Sequence, residues 1–444
     1  MIEVLANRTY RHLFLAQVVA LIGTGLATVA LGLLAYDLAG KDAGAVLGTA
    51  LAIKMVAYVF VAPLAGAYAN RLPRRALLVA LDLLRMAVVL ALPWVHQVWQ
   101  IYVLIFVLQS CSAAFTPTFQ ATIPDVLPKE SDYTKALSLS RLAYDLENLL
   151  SPALAAALLA LVTHHGLFLG TAVGFLGSAL LVVSVALPYA KTTGTSGGVT
   201  RKLTRGLHIY LATPRLRGLL ALTLAAAAGS AMVIVNTVVI VRDGLARPDS
   251  AVAIALAAFG SGSMLMAFVL PRLLERRTDR VVMVAAGLGL SVGLIVLAGV
   301  WPALPPAARW PALLADWFVL GLAYSALVTP GGRLLRRSSN DADRPALYAA
   351  QFSLSHACWL LAYPLVGWLG ARVGIAAALW AMAGLAVVGV VAAVRLWPRI
   401  EIDTVPHAHD GLPVNHPHLL EHGVNGHHVH PYVIDDLHAR WPAR

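Results

Sequence analysis

Residues 219–241 read LLALTLAAAAGSAMVIVNTVVIV, and this run decides the fold class. No charged residue interrupts it, and it exceeds the roughly 20 apolar residues that a membrane-crossing helix needs. Residues 374–394, GIAAALWAMAGLAVVGVVAAV, form a second run of the same kind. Inside a bilayer only helices and closed barrels satisfy every backbone polar group. Barrel strands alternate apolar and polar residues over about ten positions; these runs are continuous, so the spans are helices. The whole chain agrees. It is 59% hydrophobic and 12% charged, with a mean hydropathy of +0.75, whereas a soluble domain carries about 25% charged residues. So few charges cannot cover 444 residues with a water-facing surface.

Working outward from this run gives twelve spans, punctuated by Pro, Gly or charge: 11–37, 44–69, 75–95, 99–122, 134–162, 166–189, 216–241, 249–274, 280–301, 311–334, 344–370 and 374–396. The basic start leads straight into the first span, which reads as a membrane helix rather than a cleaved signal. Cys111 and Cys358 sit in separate apolar runs and predict no disulfide framework. The net charge of +11 does not point to nucleic acid. The cations gather in alternate loops, leaving only Lys41, Arg242, Arg247, Arg309 and Arg372 on the other side. The positive-inside rule then places both termini in the cytoplasm.

The two halves repeat. RHLFLAQVVALIGTG from Arg11 aligns with RGLLALTLAAAAGSA from Arg217, matching Gly23 to Gly229 and Asp37 to Asp243. Thr116-Pro117 aligns with Thr329-Pro330, and Pro152 with Pro364. Six spans return the chain to its starting side, so the repeat is parallel. The predicted organisation is a bundle over 1–190, a polar cytoplasmic linker over 191–215, a second bundle over 216–397 and a tail over 398–444.

Twelve spans, a parallel repeat and a basic central linker resemble the major facilitator superfamily across residues 1–397. The loop Gly66-Ala67-Tyr68-Ala69-Asn70-Arg71-Leu72-Pro73-Arg74-Arg75 is similar to that family's loop between spans two and three, with Asn70 where the family has an acid. A weaker copy runs from Pro271 to Arg280. The resemblance implies an all-α membrane protein with two pseudo-symmetric six-helix bundles. It also implies that Gly66, Asn70, Arg71, Arg74 and Arg75 form a conformational latch, and that spans one, four, seven and ten line a central path. A loop that is merely topogenic would carry the same arginines.

Polar residues inside spans are costly unless they face a cavity or one another. Gln109, Ser112, Thr116 and Gln120 share one face of span four; Gln17, Thr24 and Thr28 share one of span one. Asn236, Ser325 and Thr329 complete the candidate solute path. Ser and Thr also bond back to their own helix, which would explain them without any path. Asp145, Glu147 and His356 are the coupling candidates. Arg141 and Asp145 are spaced to pair, which leaves Glu147 without a local partner. Asp82 and Arg85 form a second such pair, and Lys54, in mid-span, needs a partner that its neighbours do not supply.

Beyond Pro398 the chemistry changes. His407, His409, His416, His418, His422, His427, His428, His430 and His438 recur in H-x-H patterns with Asp and Glu between them. Neutral imidazole suits nickel, zinc and copper. The segment has little apolar surface to offset ordering, so it is expected to stay unpacked without metal. An exporter of this superfamily with a His-rich tail resembles nickel-resistance proteins of the NreB type, which implies Ni²⁺ as substrate, moved outward across the bacterial inner membrane; the buried carboxylates of span five suggest proton coupling, and a monomer is expected. The alternative is a drug or siderophore exporter with a regulatory tail. No nucleotide-binding loop, nucleophile elbow or zinc-protease motif suggests an enzyme, and no cofactor or nucleic-acid partner is expected.

Overall fold

The computed structural model describes residues 2–61, 73–187, 199–340, 343–399, 404–407, 423–424, 427–435, 437–438 and 440–441. Among them the first bundle comprises α1 (Arg8–Ala39), α2 (Ala43–Val56, extended by a wide five-residue turn, Ala57–Val61), α3 (Arg74–Ala91), α4 (Val98–Val126), α5 (Glu130–Leu159) and α6 (His164–Val183). A short helix, α7 (Val199–Ala212), precedes the second bundle. That bundle comprises α8 (Pro214–Val239, ending in the wide turn Ile240–Gly244), α9 (Asp249–Arg276), α10 (Asp279–Val300), α11 (Pro306–Val328) with its continuation α12 (Gly331–Arg337), α13 (Arg344–Arg372) and α14 (Ile375–Leu396). These are the twelve crossings of the expected all-α fold.

Local chemistry sets the helix ends. Asn7 Oδ1 accepts from Tyr10 N at 3.1 Å and caps α1, while Thr278 caps α10. Pro214 and Pro306 open α8 and α11, where a missing N–H costs nothing. Thr329-Pro330 breaks the tenth span between α11 and α12. Leu169, Val173 and Leu180 on α6 and Phe268 on α9 point outward, exposed as lipid-facing residues should be.

The packing repeats between halves. α1 lies on α5 and α6, as α8 lies on α13 and α14; α3 packs on α4 and α6, as α10 packs on α11 and α14. The halves meet along α2 against α13 and α5 against α9. α7 is pinned to the second half: Arg205 pairs with Asp343, and Tyr210 donates to Gln351.

The tail departs from the expectation of an unpacked segment. Strands β1 (Thr404–His407), β2 (Gly423–Val424) and β3 (His427–Pro431) form an antiparallel sheet in the order β1-β3-β2. Beyond it, Tyr432 and Ile434 are buried in the same apolar core as Leu216 and Trp397. Arg215, at the start of α8, places its guanidinium 5.7 Å from the Trp441 ring centre. The reason is local: PYVIDDLHARW holds the apolar and aromatic side chains that the histidine stretches lack.

Candidate functional site

In the first half, Thr24 and Thr28 of α1, Lys54 of α2, and Gln109 and Ser112 of α4 line one small cavity of ≈ 20 Å³. That is room for a water molecule. Leu31, Leu51, Leu108 and Phe175 supply its apolar walls. Thr24, Thr28 and Ser112 also donate to carbonyls one turn back, at 2.9, 3.1 and 3.1 Å. Back-bonding and cavity lining therefore coexist at the same residues, because a hydroxyl that donates backward still offers lone pairs to the space in front.

Lys54 is the charged group on this lining, and its electrostatic partner is Glu147 of α5. Glu147 Oε1 lies against α1, near Gly25. Lys54 also reaches Tyr58, its Nζ 5.9 Å from the ring centre. Tyr58 in turn stacks on His356 of α13, with centroids 5.5 Å apart and planes at 5°. His356 Nδ1 lies 2.6 Å from the Phe352 carbonyl. Contacts thus link Lys54 in one half to His356 in the other through Tyr58, while Glu147 acts on Lys54 through its charge. Cys358 instead donates weakly to Leu354 O and lies buried.

Other candidates are placed elsewhere. Gln17 accepts from Ser140 at 3.0 Å and joins α1 to α5. Thr116 bonds back to Ser112 O, Gln120 and Thr329 are exposed, and Ser325 is buried in α11. Asn236 is fully buried on the side away from the termini, donating to Val366 O at 3.3 Å. There α2 and α13 approach backbone to backbone. A Cβ on Gly367 would meet Gly44 O at 2.1 Å, and one on Gly48 would meet Tyr363 O at 2.4 Å. Asn236 Oδ1 sits against Gly44 and Gly370. Asn236 therefore belongs to a seal between the halves.

Near the termini, Arg74 pairs with Asp125 and Arg75 donates to Val183 O. The second half repeats the first contact with charges reversed: Asp279 receives Arg337 at 3.1 Å and Arg333 at 3.5 Å. Asp82 and Arg85 pair as their spacing predicts; Ser178 donates to Asp82 at 2.7 Å, and Arg85 lies between Phe115 and Phe175. Gly66, Asn70, Arg71, His409, His416, His418 and His422 lie outside the described residues, as do the side chains of Asp145, His407, His427, His428 and His430. His438 is buried and contacts Asp435 at 2.8 Å, in the packed end of the tail. Sequence reasoning missed Asp316 of α11, whose Oδ2 is buried without a hydrogen-bond partner among the described residues. Its signal was a lone carboxylate in the run LLADWFVLG. Among the described residues no group of three or more His, Cys, Asp or Glu is placed to hold a metal ion.

A family model described as Major Facilitator Superfamily matches residues 13–246 and again residues 219–415. The chain belongs to the major facilitator superfamily. This major facilitator protein is a multi-pass membrane transporter, not an enzyme. It is 24% identical over 368 residues to the uncharacterized MFS-type transporter YvqJ of Bacillus subtilis strain 168, covering 79% of this chain and 83% of that one. It is 25% identical over 252 residues to the uncharacterized MFS-type transporter YfiS of the same organism, covering 53% of this chain and only 57% of that relative's length. Among solved structures it is similar to the nucleoside transporter NupG (D323A mutant), with a TM-score of 0.72 at 14% identity, covering 88% of this chain and 100% of that one. A bacterial homolog of the human lysosomal transporter Spinster, inward-facing and unoccupied, gives 0.67 at 13% identity, covering 87% and 95%.

Proposed function

We propose that this transporter exports divalent metal cations, Ni²⁺ foremost, outward across a bacterial inner membrane in exchange for protons, with both termini in the cytoplasm and a histidine-rich tail that gathers the metal. The observation that carries the reading is the tail's register. His407 pairs across the sheet with His428, and His430 follows two residues along the same strand. Directly opposed positions on antiparallel strands lie about 5 Å apart, and alternate positions share a face. The backbone thus gathers three histidine positions on one face.

Within the core, Glu147 offers an anionic oxygen beside the lined cavity, and Lys54 balances it when no cation is present. A metal ion or a proton arriving at Glu147 competes with Lys54 for the same negative charge. Two cations competing for one carboxylate supply the exclusivity that exchange requires. Thr24, Thr28, Gln109 and Ser112 add neutral oxygens.

A second reading, export of a drug or siderophore, is favoured by one observation: the charge on the cavity lining is the cation Lys54. The test is flux into liposomes holding the purified transporter and a trapped Ni²⁺-sensitive dye, with and without an imposed pH gradient. The expected result is gradient-dependent Ni²⁺ entry, lost in Glu147→Gln. No Ni²⁺ entry with folded protein overturns the metal reading; gradient-driven movement of an amphiphilic dye or a siderophore then establishes the second.

A further inference from the structure

The side of the molecule away from the termini carries an ionic cluster that spans the two halves. His164, the first residue of α6, is 7% exposed. Its Nε2 lies 3.0 Å from Asp37 Oδ2, at the end of α1 in the same half. Its Nδ1 lies 3.5 Å from Asp249 Oδ2, at the start of α9 in the other half. Arg242, in the wide turn that ends α8, pairs with the second oxygen of Asp249 and lies 5.4 Å from the Tyr36 ring centre. His165, next in the chain, has its ring centre 4.2 Å from that of His164. Among the described residues these are the charged and titratable groups that face His164 from α1, α6, α8 and α9.

A neutral imidazole has one N–H and one lone pair; an imidazolium has two N–H donors and no lone pair. Here both ring nitrogens face carboxylates. A neutral ring would turn its lone pair toward one of them, whereas the imidazolium is attracted to both. The Nε2 contact with Asp37 is not aligned as a hydrogen bond, so its attraction depends on ring charge. The charge count agrees. Two carboxylates and one guanidinium leave a formal charge of −1, and a proton on His164 brings the cluster to zero.

The contact with Asp249 exists only while the halves are together on this side. The glycine contact of α2 with α13 and the Asn236 bond to Val366 close the same side. We propose that His164 is a proton-binding site of this gate. A proton on its ring bridges Asp37 to Asp249 and holds the halves closed; loss of that proton releases Asp249 and favours opening. The proton would be taken up from the compartment that the gate faces, so acid on that side closes it. The inference rests on alternating exposure of the two sides and is independent of which solute is carried.

The test measures the gate and not transport. Spin labels are placed at Lys41→Cys and Arg372→Cys, both exposed and on opposite halves at this face, with Cys111 and Cys358 replaced by serine. Label-to-label distances are then measured in lipid nanodiscs from about pH 8 to about pH 5.5, either side of the ordinary histidine range near 6.5. The parent should gain short-distance population severalfold as pH falls. His164→Gln should lose that response and stay in the longer-distance population. His164→Lys, a fixed cation, should hold the short distance even at the highest pH. An unchanged pH response in His164→Gln, or none in the parent, overturns the proposal. Should His164→Gln fail to fold, Asp249→Asn removes the cross-half charge and leaves the Asp37 contact. Loss of its pH response supports the proposal, and a response like the parent's overturns it.

Discussion

Substituting alanine for Gly367 would place one carbon into the seal between α2 and α13. Its Cβ would lie 2.1 Å from Gly44 O, where ordinary contact begins at 3.4 Å. The helices must part by about 1.3 Å (3.4 minus 2.1), and the obstacle is backbone, which no rotamer change can relieve. Overpacking of this kind costs about 1–3 kcal/mol. The cost falls on the state in which this side is closed, because α2 and α13 separate here when it opens. A bias of that size shifts the equilibrium between the two states about 5–150-fold. The measurement is labelling of Thr28→Cys, on the cavity wall behind the seal, by a membrane-impermeant thiol reagent added on the side away from the termini. Buried Cys111 and Cys358 are first replaced by serine. Labelling should quicken at least about fivefold in Gly367→Ala relative to Gly367. An unchanged rate in well-inserted protein would refute the claim that this glycine contact closes the molecule.

Three further outcomes are expected. Glu147→Gln should leave the transporter folded but make solute flux insensitive to an imposed pH gradient, checked in liposomes against the parent. Arg85→Met should strand the fully buried Asp82 carboxylate and lower stability by about 3–5 kcal/mol, read as a fall in unfolding temperature in detergent. The hydrogen bond from Arg205 holds the Asp343 carboxyl below the usual carboxylate range, with the Arg205 charge and Asn340 assisting. A depressed value means that the stabilisation is complete above the unfolded-state value of about 3.9 and fades as pH falls through the lower folded one. Docking of α7 should therefore not change between about pH 5 and 8, whereas Asp343→Asn should weaken it by about 1 kcal/mol at neutral pH, seen as faster amide exchange over residues 199–212.

The spans are legible in the sequence because lipid demands long apolar runs, and the repeat is legible because Pro, Gly and Arg hold their positions in both halves. Rotation of each helix about its own axis is harder to read. A helix that is apolar all round offers no stripe to show which way it faces. Gln17 and Thr24 share a face by spacing, yet Gln17 turns to Ser140 while Thr24 meets the cavity. Asn236 reads as a path residue and instead fills the glycine-lined seam with α13. Long-range partners are hidden for a related reason. Lys54 finds Glu147 on α5, and His164 finds acids on α1 and α9, pairings that no local spacing encodes. The packed end of the tail was overlooked because nine histidines dominate a segment whose last residues are apolar and aromatic.

The reversed ion pairs near the termini also differ in their relation to the helices that carry them. Asp279 begins α10 and Arg337 ends α12. An anion at a helix start and a cation at a helix end are both favoured by the peptide dipoles. Arg74 begins α3 and Asp125 lies at the end of α4, so both oppose them. Each such placement is worth about 0.3–1 kcal/mol. Across each bond the sign reverses, because Asp125 lies against the start of α3 and Arg74 against the end of α4. Breaking the first-half bond therefore leaves each helix end with a charge that its own dipole opposes, whereas breaking the second-half bond leaves Asp279 and Arg337 each at a favourable end.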